Sequence, residues 1–74
     1  MQLETVNASP GDWVVVSGHS PEDLNPHFIK IGASEKLPAL FEGKRMMVRC
    51  PQIEGGRATV YVNDDRVGVL VVDS

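Results

Sequence analysis

RATVYVNDDRVGVLVVD, residues 57–73, is the stretch whose reading decides the fold. Apolar and polar residues alternate on both sides of Asn63-Asp64-Asp65, the pattern of two strands joined by a tight turn. With Asp64-Asp65 as the two-residue loop, Val62 faces Val67, Tyr61 faces Gly68, Val60 faces Val69 and Ala58 faces Val71. One face of this hairpin is then purely aliphatic and the other mixed. Register matters more here than composition, because a slip of one residue moves every side chain of a strand to the opposite face.

Working back along the chain, Arg45 to Cys50 alternates in the same way, with Met46, Val48 and Cys50 on one side and Arg45, Met47 and Arg49 on the other. Segments 45–50, 57–63 and 66–72 are therefore expected to form a three-stranded antiparallel meander. Asp12 to Ser17 is a further strand, rich in β-branched residues between two glycines, and residues 27–31 form another, with Ile29 and Ile31 on one face and Phe28 beside Lys30 on the other. Residues 1–11 are expected to add a short edge strand and a tight turn. Between these lie two short helical candidates. Ser20-Pro21-Glu22-Asp23-Leu24 has a capping serine and a proline suited to the first helical position, and Asn25-Pro26 stops it. Residues 34–43 place Leu37, Leu40 and Phe41 at helical spacing and end in glycine, although Pro38 limits the helix to one or two turns.

The expected fold is all-β: one domain, 1–74, built as a small five-stranded, partly open antiparallel barrel of SH3-like or OB type with one or two short helical turns. The alternative is an α+β sandwich with a true helix at 34–43 packed on the sheet. Gly11-Asp12-Trp13-Val14-Val15-Val16-Ser17-Gly18 resembles the opening strand of SH3-like barrels, including those of translation factors and ribosomal proteins. The resemblance spans this strand alone, and such a stretch carries no function by itself.

Size and composition narrow the functional classes. A chain of 74 residues with a single cysteine has no internal disulfide to staple a thin core. The absence of a long apolar run or a recognisable export signal leads us to expect a soluble cytoplasmic protein without a membrane partner. A net charge of −3 opposes bulk attraction to nucleic acid, so any such binding has to be local. No catalytic constellation, metal site or cofactor motif is visible. His19 and His27 are too far apart for a compact zinc site and have no second pair of ligands. Cys50 falls on the inward face, where a lone cysteine acts as a small hydrophobe. Gly55-Gly56 does not precede a long helix and is not a phosphate loop.

What remains is the outward face of the expected meander. Arg45, Met47, Arg49, Arg57, Tyr61 and Arg66 share it, with Leu70 and Val72 as an apolar patch. Arginine forks to carboxylate or phosphate and stacks on flat groups, and tyrosine offers an amphipathic platform. The ordinary solvated side of an antiparallel sheet would look similar. We therefore expect a non-enzymatic binding module, an adaptor or inhibitor that docks on a protein partner within a transcription or translation assembly. The alternatives are single-stranded nucleic-acid binding on the same face, and a homodimer or larger homo-oligomer formed through the terminal Val-Leu-Val-Val run.

Overall fold

The computed structural model describes residues 1–18 and 28–73. The short helical turn expected at residues 20–24, His19 and His27 lie outside the described residues. Those described form strands without any helix: β1 Gln2–Leu3, β2 Asn7–Ala8, β3 Trp13–Ser17, β4 Phe28–Ile31, β5 Leu37–Pro38, β6 Leu40–Glu42, β7 Arg45–Arg49, β8 Gly56–Val62 and β9 Asp65–Val72. The all-β class is as expected. The three-stranded meander of 45–50, 57–63 and 66–72 is not, because β7 and β8 belong to different sheets, and the strands number more than the five expected. One sheet has the order β1-β3-β7-β6, the other β2-β9-β8-β4-β5.

Two bent segments join the sheets at their edges. Residues 2–8 run antiparallel to β3 as β1, then continue as β2, which lies parallel to β9. Residues 37–42 pair with β4 as β5, pass Ala39 and pair with β7 as β6. Strands that change sheet in this way form the corners of closed β architectures and cover edges that would otherwise recruit another chain. The terminal run, for which an edge open to a second copy is one alternative, has β8 on one side and, at Val71 and Val72, β2 on the other.

Residues 34–43 correct the helix expectation, both as a short turn and as the helix of an α+β sandwich. The residue before a proline is pushed toward extended backbone, which suits Leu37, and Pro38 lacks the N–H an inner strand would need, so the pair sits at a sheet edge. The glycine that read as a helix terminator instead makes a hairpin. Glu42 pairs with Arg45, and Gly43, with φ of 62°, takes the first central position of the loop, where a type II′ turn calls for glycine.

The β8–β9 hairpin also departs from its expected register, in two steps with different consequences. First, the loop is Asn63-Asp64, closed by Val62 opposite Asp65. Both loop residues have positive φ, 48° and 72°, as type I′ turns require, and asparagine tolerates that backbone best among residues with a side chain. This moves the pairing by two and leaves the facing of β9 unchanged. Second, Tyr61 pairs with Arg66 but Val60 pairs with Gly68, so Val67 is an extra residue in β9. That bulge moves the pairing by one and reverses every later side chain of β9.

Leu70 and Val72, expected on the outer face, are accordingly core residues at 0% and 2% exposure, while Val69 and Val71, expected inside, are exposed at 39% and 38%. The inward sets Met46 and Val48 of β7, with Cys50 just past its end, and Ala58, Val60 and Val62 of β8 are as expected. Val14 and Val16 from β3 and Ile29 and Ile31 from β4 complete the space between the sheets.

The turn offers a direct test of the loop position. Asp64→Gly relieves a left-handed aspartate and gives up only a 3.4 Å ion pair with Lys36 between largely exposed groups. It is expected to raise stability by about 0.5–1 kcal/mol. Asp65→Gly, a change to the strand residue beside the loop, is expected to lower stability. Denaturant midpoints distinguish the two, and a gain at residue 65 with a loss at 64 contradicts the loop described.

Candidate binding faces

The two outer faces divide the expected site residues. On the first sheet, β7 turns Arg45, Met47 and Arg49 outward, since its alternate residues Met46 and Val48 are buried. Cross-strand register sets Val15, Met47 and Leu40 in one row, Trp13 beside Arg49 in the next, and Ser17, Arg45 and Glu42 in the row on the other side. The Arg49 guanidinium lies over the Trp13 ring, 3.9 Å from its centroid, and Nη1 donates to the Gly11 carbonyl at 2.9 Å. Held at two points, the arginine is ordered before any partner arrives. Arg45 is paired with Glu4 at 3.4 Å, a largely exposed contact that screens its charge more than it stabilises the fold. The centre of this face is apolar, with Leu40 at 56% and Trp13 at 38% exposure.

On the second sheet, β8 turns Arg57, Thr59 and Tyr61 outward. Lys30, Tyr61 and Arg66 form one row across three strands, because Lys30 pairs with Tyr61 and Tyr61 with Arg66. Thr59 and Val69 form the next row, then Arg57 and Val71. Phe28 extends the face at the other end. It is on the same side as Lys30, two residues away, and its backbone exchanges hydrogen bonds with Asn63, whose Oδ1 accepts from Phe28 N at 3.1 Å and whose N donates to the Phe28 carbonyl at 3.0 Å.

The structure therefore brings Arg45, Met47 and Arg49 together on one side, and Arg57, Tyr61 and Arg66 on the other. Leu70 and Val72 join neither. No family model, curated protein or solved structure matches this chain.

The expectation of a single face missed Trp13, Val15 and Leu40 on the first sheet and Phe28, Val69 and Val71 on the second. Lys30 and Phe28 carried a usable signal, since burial of Ile29 and Ile31 sends both outward. Trp13 carried none, because every residue from 13 to 16 is apolar and alternation is silent there. Among the described residues, no three His, Cys, Asp or Glu side chains converge on a common point. Cys50 is buried, its Sγ 3.7 Å from the Pro51 carbonyl, and desolvation, reinforced by the charge of Asp12, pushes its thiol pKa up. Both effects oppose the thiolate that a nucleophile needs. No helix among the described residues is long and apolar enough to cross a membrane.

Proposed function

We propose that the chain is a non-enzymatic module that docks on a larger protein through the outer face of the β1-β3-β7-β6 sheet. The observation that carries this reading is Arg49 stacked on Trp13 in the row next to Val15, Met47 and Leu40. Tryptophan and arginine dominate protein interfaces when they sit beside apolar surface that excludes water, and an arginine already held in place loses little freedom on binding. The partner this face fits has an apolar patch for Met47 and Leu40 and a carboxylate for the free edge of the Arg49 guanidinium. The scaffold reading that accompanies it is a small barrel of SH3-like or OB type, supported by the two sheets joined at their edges. Adaptor and inhibitor roles both follow from such docking, since a module of this size acts by covering or bridging a surface.

The test begins with capture of proteins from host extract on the tagged chain, followed by titration of the purified captured protein against variants. Trp13→Ala and Leu40→Glu are each expected to weaken binding by about 10-fold or more, as central interface residues do. Unchanged affinity in both variants rejects the docking face.

A further inference from the structure

The outer face of the second sheet has a different chemistry from the first. Among the described residues Lys30, Arg57 and Arg66 take part in no ion pair, whereas Arg45 and Lys36 do. In a chain of net charge −3, three unneutralised cations on one face form a local concentration of positive charge. Two aromatic rings share that face. Lys30 pairs with Tyr61, and Phe28, two residues before Lys30 on β4 and hydrogen-bonded to Asn63 just past the end of β8, is the diagonal neighbour of Tyr61, a spacing of about 7–8 Å between the two positions. Phe28 is 40% exposed and Tyr61 half-buried.

We propose that this face, Phe28, Lys30, Tyr61 and Arg66 with Arg57 beyond them, binds single-stranded nucleic acid, DNA or RNA. Two flat rings side by side are a platform for unpaired bases, every one of which has a π-face, and the flanking cations follow the phosphate chain. Carboxylates of an acidic peptide would satisfy the cations but have no use for the second ring. Val69, in the row between Tyr61 and Arg57, and Val71, beside Arg57, continue the surface with apolar ground suited to sugar rings rather than to charged side chains. The single strand lies across β4, β8 and β9, on the opposite sheet from the protein-docking face, so this proposal stands independently of it.

Fluorescence anisotropy with labelled oligothymidylate and oligouridylate of about 12 nucleotides, within the span one small barrel covers, is the test. Binding at low salt is expected to weaken as salt rises, with a logarithmic slope near −2, because three cations each displace about 0.7 counterion from a single strand. Phe28→Ala and Tyr61→Ala are each expected to weaken binding about 5- to 100-fold. Tyr61→Phe keeps the ring and is expected to bind as the unmodified protein does, which separates stacking from damage to the sheet. Absence of binding at low salt overturns the proposal, as does affinity indifferent to both alanine variants. So does capture of polyglutamate in preference to either oligonucleotide, which would assign the face to an acidic protein.

Discussion

Leu70→Ala is expected to cost about 2–5 kcal/mol, while Val71→Ala next to it costs about 0.5 kcal/mol or less. Leu70 is fully buried between the sheets, where truncation leaves a cavity, whereas Val71 lies on the outer face opposite Arg57. A domain of this length has a total stability of about 4–11 kcal/mol, so the larger loss brings the chain close to unfolding. Urea denaturation of the two variants, with Val72→Ala and Val69→Ala as a second pair, reads the facing of β9 directly. The bulge at Val67 is the cause of this ordering. Without the extra residue, Val69 and Val71 would point inward and the ranking would invert, so a larger loss at 69 and 71 than at 70 and 72 contradicts the register.

Gly68→Ala is the second large effect, expected at about 1–3 kcal/mol. An added Cβ would stand 3.1 Å from Leu3 Cβ and 3.2 Å from Leu3 Cδ2. The first of these atoms is fixed to the backbone of β1, so relief requires the N-terminal strand itself to move. A shift of a few tenths of an ångström there would strain the pairing of Gln2 and Leu3 with β3, and with it the corner that joins the two sheets. In a double-mutant cycle, Leu3→Ala removes Cδ2 but keeps Cβ, so the cost of Gly68→Ala is expected to fall without vanishing. Strict additivity would show that β1 does not pack on β9 as described.

The two effects originate at neighbouring residues, the bulge at Val67 and the close approach at Gly68, which shows how far the residues could be read unaided. A lone glycine within a strand marks a bulge or a close approach of another backbone, and here it marks both. The aliphatic run on either side gave no means of choosing, since Val67, Val69 and Val71 are as credible an inward set as Leu70 and Val72. The turn was more legible: Asn63 is better suited than Asp65 to a left-handed position, and Gly43-Lys44 has the glycine of a type II′ loop. The 34–43 segment misled because apolar residues at helical spacing also satisfy two short strands when a proline divides them.

The candidate faces follow the same division. Which side of β7 and β8 is polar was legible from alternation alone, and Arg45, Arg49, Arg57 and Tyr61 do turn away from the core. That they share one face rested on consecutive strands being neighbours, which is common but not obligatory. Residues 50–55 carry the chain from one sheet to the other, so its arginines are distributed over opposite sides of the molecule.

By itself the sequence determined the β class, the core contributions of β4, β7 and β8, and the absence of an internal disulfide. These depend on local composition and on a period of two, which any single strand expresses. Tertiary structure alone decided the facing of β9, the partners of β7, and the grouping of cations with aromatic rings. Each of these depends on a contact between segments far apart in the chain: the bulge that accommodates Leu3 against Gly68, and the corner strands that close the sheets. A local pattern carries no record of the segment that will be packed against it.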